Sequence, residues 1–133
     1  TKTGALIVIA KKSFLDDFIN TGVKINGDIT QEIIENIFFK NTPLHDGAMI
    51  IAQDKVIAAR CILPVSDRLD IPGSMGLRHR AALGLSASSD AQVIVVSEET
   101  GNISIFHQNQ YVRAVSQEIL QAFLANDLSM FEK

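Results

Sequence analysis

The sequence has no tryptophan, one tyrosine, one cysteine and only three prolines in 133 residues. A single cysteine excludes an internal disulfide, so packing must hold the fold, and a reducing compartment is the expectation. That cysteine, Cys61, lies in the apolar run 56–63, where a buried strand residue is the expected reading rather than a catalytic thiol. No apolar stretch approaches the roughly 20 residues of a membrane span, and no secretory leader is recognisable. The chain begins on Thr1 rather than methionine, so a piece cut from a longer protein is expected. An excess of either charge sign is also small, with 12 basic residues against 15 acidic ones. A net charge of −3 creates no global field to draw in nucleic acid, and no nucleic-acid partner is expected.

What is present is enough apolar material for a core. Hydrophobic residues make up 47% of the chain and charged residues 20%, the balance of one globular domain spanning residues 1–133. The charge is unevenly placed. Between positions 60 and 80 four arginines oppose Asp67 and Asp70, whereas from position 81 onward six acids oppose only Arg113 and Lys133. A local basic patch in an acidic protein suits a small anionic ligand better than a polymer.

The patterning interleaves strands and helices without repeats. Residues 4–10 form a continuous apolar run, as in a strand buried on both faces. Apolar Phe14, Leu15, Phe18 and Ile19 recur at helical spacing over 13–20, and Thr21-Gly22 ends that segment. Thr30 is placed to cap a helix over 31–39. Phe14, Phe18, Phe38 and Phe39 read as a core stripe. Asn41-Thr42-Pro43 breaks the pattern. Residues 48–52 and 56–63 read as a hairpin about Gln53-Asp54-Lys55, followed by a polar loop over 66–76. The spacing predicts a helix over 77–88, a strand over 92–96, a turn at 99–102, a strand over 103–107 and a closing amphipathic helix over about 116–128. The expected fold class is α/β with α+β character: a single domain with a central mixed sheet flanked by helices on both faces.

Two short stretches carry the chemistry. His45-Asp46-Gly47-Ala48 sets an imidazole and a carboxylate on a glycine turn at a strand entry, where backbone can approach a ligand closely. Arg78-His79-Arg80 sets two guanidinium groups and an imidazole on the first turn of a helix, whose open N–H groups favour an anion. An Asp-Gly pair is first of all a turn signal, and basic residues at a helix start oppose the dipole. Such a local violation is expected where function overrides stability. Carboxylate, imidazole and paired arginines together suit chemistry on a phosphate ester, which points to a nucleotide. Positions 78 and 80 lie about 200° apart on a helix, so from its interior the two arginines cannot both face one phosphate: either the motif straddles the loop, or one arginine binds the ligand and the other braces the site or a dimer. Arg78, nearer the helix end, is the expected phosphate ligand and Arg80 a support. Glu98-Glu99 and His107 taken alone read as a charged hairpin end and a surface histidine.

Taken together, these residues resemble the diadenylate cyclase domain of bacteria. Its two signatures are matched by Asp46-Gly47-Ala48 and Arg78-His79-Arg80. The likeness extends through Thr3-Gly4-Ala5-Leu6-Ile7, Asn41-Thr42-Pro43-Leu44-His45, Leu63-Pro64-Val65-Ser66 and Val96-Ser97-Glu98-Glu99-Thr100-Gly101. Order and spacing look most like the membrane-anchored class, which implies transmembrane helices outside this sequence and a place at the cytoplasmic face of the membrane. Membrane contact is expected only through those segments.

The resemblance implies an enzyme that joins two ATP molecules into cyclic di-AMP with release of two pyrophosphates. Each chain binds one ATP, so the active form is a face-to-face homodimer. Asp46 is then the residue at the ribose 3′-OH and the metal, with Gly47 and Ala48 close to the nucleotide. The adenine lies near the Leu63 backbone. Arg78, His79 and Ser97 sit at the phosphates, and Arg80 and Glu99 belong to the nucleotide site. His45 and Glu99 join Asp46 as metal ligands for Mn²⁺ or Mg²⁺, Glu98 being a weaker one. A free aspartate, with a pKa near 3.9, is a poor base for a ribose hydroxyl. The expected role of Asp46 is therefore to orient that hydroxyl and help hold the metal. Leu77 departs from the family, which usually carries threonine there, and puts one phosphate contact in doubt. A non-catalytic nucleotide-binding module and a metal-dependent phosphohydrolase are the alternative readings.

Overall fold

The structure, a computed structural model, describes residues 3–39 and 43–132. Asn41 and Thr42 lie outside them. Seven strands form one mixed sheet: β1 (Ala5–Ile9), β2 (Val23–Asp28), β3 (Ala48–Ala52), β4 (Lys55–Cys61), β5 (Gln92–Val96), β6 (Ile103–His107) and β7 (Gln110–Val112). They are ordered β2-β4-β3-β1-β5-β6-β7. Among these neighbours β1 and β3 pair in parallel and every other pair is antiparallel. The chain is an α/β domain with a mixed sheet and a helical layer on each face, as its patterning predicts.

The central strands explain the architecture. Side chains alternate across β1, so Leu6 and Val8 enter one core with Val93, Val95 and Phe106. Helix α3 (Leu77–Ser88) covers that face with Ala81, Ala82, Leu83 and Leu85, and the single-turn α1 (Asp16–Ile19) packs beside it. On the opposite face, Ala5, Met49, Val56 and Ala59 meet α2 (Gln31–Ile37), while Ile94 and Ile105 meet Phe123 of α4 (Gln117–Leu124). Thr30 caps α2 as expected, its hydroxyl oxygen accepting the Ile33 N–H at 3.1 Å. Ser116 does the same for α4, accepting from Ile119 at 3.2 Å. The two-residue turn between β3 and β4 has positive φ at Gln53 and Asp54, the twist a tight hairpin requires.

Four expectations need correction. Strand β2 fills a stretch to which no element was assigned: Val23 and Ile25 alternate with Lys24 and Asn26, but the Asn26-Gly27-Asp28 end reads as a turn, and the strand lies at the sheet edge, paired with β4. Strand β7 is three residues long, too short for a periodic signal. Helices α1, α2 and α4 are shorter than their apolar periodicity, since caps and turns end them early. The phenylalanine stripe also splits. Phe38 is buried and Phe18 packs against the core, but Phe14 is 93% exposed and Phe39 54%.

Candidate active site

The sheet places the two signature stretches at one end. Asp46-Gly47 leads into β3, Gly4 precedes β1, Ser97-Glu98 follows β5, and the end of β4 lies on the far side of β3. These ends, with the turn after α1 and the start of α3, enclose a cavity of about 820 Å³, within the range of small-molecule sites. Asp46, Gly47, Leu63, Arg78, His79, Ser97, Glu98 and Glu99 all line it. Residues separated by more than fifty positions thus share one space. Three members of the expected set do not line it. Ala48 is fully buried in the sheet, Arg80 turns away, and His45 ends a short 3-10 turn (Pro43–His45) behind Asp46.

Local geometry sets each side chain. Gly47 has φ +95°, and a Cβ there would stand 2.8 Å from the Cys61 carbonyl oxygen, so only glycine lets this turn lie against β4. Asp46, before it, is exposed at the cavity mouth. Across the cavity Gly76 opens α3 in an extended conformation, with no side-chain cap on the first turn. The first backbone bond there runs from the Arg80 N–H to the Gly76 carbonyl at 3.1 Å, which leaves the N–H groups of residues 77–79 at the cavity edge for an anion.

The 200° separation of the arginines holds. Arg78 faces the cavity, its guanidinium 3.7 Å from a Glu98 carboxylate oxygen. Arg80 instead presents its carbonyl to the Ser66 N–H at 2.9 Å, fastening the 64–66 segment to the helix. Gly4 makes room for Arg78: a Cβ there would lie 2.6 Å from Arg78 Nη1. His79 is half-buried, with its ring edge against Phe106. Burial, then the charges of Arg113 and Arg78, hold its pKa below the ordinary histidine value, so the imidazole is neutral at pH 7. Ser97 Oγ accepts the N–H groups of Glu99 and Thr100, at 3.2 and 3.3 Å, which shapes the turn and leaves the hydroxyl proton as a donor.

Cys61 lies at the back of the same cavity and is buried, with its thiol pKa pushed up to about 11 by desolvation. It is a protonated core residue, not a nucleophile. Sequence reasoning missed Arg60, Ile62, Val65 and the Thr21-Gly22-Val23 turn, all of which line the cavity. Arg60 left a trace as one of the four arginines of the basic patch, Val65 within the family likeness and Thr21-Gly22 as a helix stop, but none of these signals marked a cavity wall.

Among the described residues no three His, Cys, Asp or Glu side chains converge closely enough to hold a metal by themselves. The expected set of His45, Asp46 and Glu99 is therefore not a preassembled protein site. Asp46 and Glu99 at one cavity nevertheless suit an ion that takes one or two carboxylates and completes its shell with phosphate oxygens and water. The donor set fits Mg²⁺ or Mn²⁺ carried in with a nucleotide.

A glycine-turn carboxylate facing an arginine-bearing helix start defines a nucleotide-binding α/β domain. A family model described as DAC, DisA bacterial checkpoint controller nucleotide-binding, matches residues 1–111, and the chain belongs to that family. It is 45% identical over 127 residues to a diadenylate cyclase of Listeria monocytogenes, covering 96% of this chain and 46% of that protein. It is 41% identical over 123 residues to the cyclic di-AMP synthase CdaA of Bacillus subtilis, covering 92% and 45%. The chain thus spans about half the length of the curated relatives it matches. A crystal structure of a double mutant of DacA from Staphylococcus aureus superposes with TM-score 0.91 at 47% identity, covering 94% of this chain and 83% of that one. No helix among the described residues is long and apolar enough to cross a membrane.

Proposed function

We propose that this chain is the catalytic domain of a diadenylate cyclase that condenses two ATP molecules into cyclic di-AMP and two pyrophosphates. The observation that carries this reading is the single cavity shared by Asp46-Gly47 and Arg78-His79. It offers a hydroxyl-orienting carboxylate on one wall and a phosphate-binding helix start on the other. The names of the relatives at 41–45% identity support it.

In each half-reaction the 3′-oxygen of one ATP bonds to the α-phosphorus of the other. The bond from that phosphorus to the bridging oxygen breaks, pyrophosphate leaves, and the hydroxyl proton passes to solvent. Asp46 accepts a hydrogen bond from the hydroxyl and aligns it. Arg78, the neutral His79 imidazole, the open N–H groups of α3 and the Ser97 hydroxyl hold the phosphates, with Arg78 offsetting charge that builds on the leaving group. The Leu63 backbone lies at the adenine. Asp46, with His45 or Glu99 and phosphate oxygens, would hold a Mg²⁺ or Mn²⁺ ion, which when bound makes the hydroxyl more acidic and screens phosphate charge. One cavity presents one hydroxyl-orienting carboxylate, Asp46, and one phosphate side, so two chains meet face to face across a two-fold axis to close a symmetric ring. In the full-length protein the domain is held at the cytoplasmic face of the membrane by segments outside this sequence.

The test is incubation of the chain with ATP and Mn²⁺, then chromatographic separation of the products. Cyclic di-AMP that vanishes in Asp46→Asn supports the cyclase. ADP or AMP alone would indicate a phosphohydrolase, and bound but unchanged ATP a non-catalytic module.

A further inference from the structure

The β3–β4 ladder is irregular at the active-site end. Ala48 pairs with Cys61 and Ile50 with Ala58, so Met49 alone faces both Ala59 and Arg60. Arg60 is the extra residue of this bulge and holds φ at +57°, a conformation glycine adopts freely and arginine does not. Of the non-glycine residues with positive φ, it is the one that lines the cavity. Its backbone supports the catalytic turn directly, since a Cβ on Gly47 would meet Arg60 Cα at 3.0 Å. Its side chain is exposed and makes no hydrogen bond or ion pair with any described residue. Arg78, by contrast, has Glu98, and Arg68 has Asp70.

The strand order turns these facts into a position. Across the sheet end the sequence is Arg60 on β4, Asp46-Gly47 before β3, Gly4 beneath Arg78 before β1, and Ser97 after β5. Along the sheet end Asp46 therefore lies between Arg60 on β4 and Gly4, against which Arg78 packs. Arg78 stands on the side of the chain's own phosphates. Arg60 stands on the other, with no acid of its own and a backbone held in a disfavoured conformation. A bulge is a means of re-aiming one side chain, and strain kept at a site marks a constraint that the surrounding packing imposes.

We propose that Arg60 is a further catalytic residue: it binds the α-phosphoryl group attacked by the hydroxyl that Asp46 orients. This inference rests on the cyclase reading, in which that phosphoryl group belongs to the ATP held by the second chain. Arg60 thus acts in trans, supplying cationic stabilisation where negative charge builds in the transition state, and contributes little to capture of the chain's own nucleotide.

The experiment compares wild type, Arg60→Gly and Arg60→Lys. Glycine keeps the left-handed backbone and removes the charge, so it separates a charge role from a conformational one. Two quantities are read: the turnover number for cyclic di-AMP, and the affinity for 3′-deoxyATP, measured by calorimetry at a chain concentration where sedimentation shows the monomer. The expected result is an about 100-fold fall in turnover in Arg60→Gly, the order found for loss of one transition-state donor. Affinity for 3′-deoxyATP stays within about twofold, and Arg60→Lys, which keeps the charge but not the planar fork, recovers part of the turnover. Wild-type turnover in Arg60→Gly overturns the inference while leaving the cyclase reading intact. So does loss of 3′-deoxyATP affinity in step with turnover, which would place Arg60 on the chain's own nucleotide. A wild-type chain that makes no cyclic di-AMP overturns both.

Discussion

Replacing Gly4 by alanine separates the integrity of the fold from the alignment of the site. Gly4 does not have a positive φ, so alanine fits its backbone. The new methyl group meets Arg78 Nη1 at 2.6 Å, Arg78 Cζ at 2.9 Å and Glu98 Cβ at 3.1 Å. The tightest contact falls about 0.8 Å short of ordinary van der Waals distance, and what must yield is the far end of a flexible side chain. The fold therefore loses little, and alanine's smaller unfolded-state entropy offsets part of that by about 0.4–1 kcal/mol. The site does not escape so lightly. A guanidinium displaced by close to an ångström loses its alignment with the phosphate, and misplacement of that size costs about 100-fold in rate. The expected outcome is a thermal midpoint within about 3 °C of wild type, under 1 kcal/mol at this size. Cyclic di-AMP formation falls between about 10- and 100-fold. The pair of assays is a thermal melt and product chromatography on the same preparation. Undiminished turnover would refute the argument that Gly4 exists to seat Arg78. A midpoint lowered by 10 °C or so would show instead that the β1 entry is rigid and the clash is borne by the fold.

Gly84→Ala makes the opposite case, because its Cβ would overlap the Pro64 carbonyl oxygen, which is backbone. A loss of about 2–4 kcal/mol in urea unfolding is expected, and a neutral result would mean that the 64–66 segment can slide on α3. Gly47→Ala combines positive φ with backbone contacts and is expected to cost about 2 kcal/mol or more and to abolish product formation. For Cys61, burial and a thiol pKa of about 11 predict negligible alkylation by iodoacetamide at pH 8 in the native chain and rapid alkylation in urea. Cys61→Ser is expected to keep most of the activity. The lowered pKa of His79 means the unfolded chain binds its proton more readily than the folded one. Its contribution to stability is therefore complete above the unfolded value near 6.5 and lost as pH falls through the lower folded value. A melt series from pH 7.5 to 5.5 should show a shallower decline in His79→Gln than in wild type, and parallel slopes would refute it.

How much of this was legible before folding depends on the range of the interaction concerned. Strands β1 and β5, helix α3 and the Thr30 cap follow from neighbours a few residues apart, where periodicity and hydrogen-bond chemistry act locally. The same holds for the divergence of Arg78 and Arg80, which helix geometry alone dictates. Strand β7 is too short to carry a periodic signal, and β2, whose Val23-Lys24-Ile25-Asn26 does alternate, was masked by turn-forming Asn26-Gly27-Asp28. Phe14 and Phe39 mislead because helical spacing identifies an apolar face, but not whether the helix continues far enough to bury it.

The sequence by itself singled out Asp46-Gly47 and Arg78-His79 as candidates for nucleotide chemistry, since a carboxylate on a glycine turn and an arginine-bearing helix start are the residue types that chemistry needs. The tertiary structure alone decided which of them share a space. Parallel pairing of β1 with β3 and antiparallel pairing of β3 with β4 and of β1 with β5 bring positions 4, 46, 60 and 97 to one end of the sheet, where the start of α3 adds Arg78. The same packing excludes Ala48, leaves His45 behind the turn and re-aims Arg60 through a bulge. Strand register and side-chain direction are properties of the assembled sheet, and no local pattern encodes them.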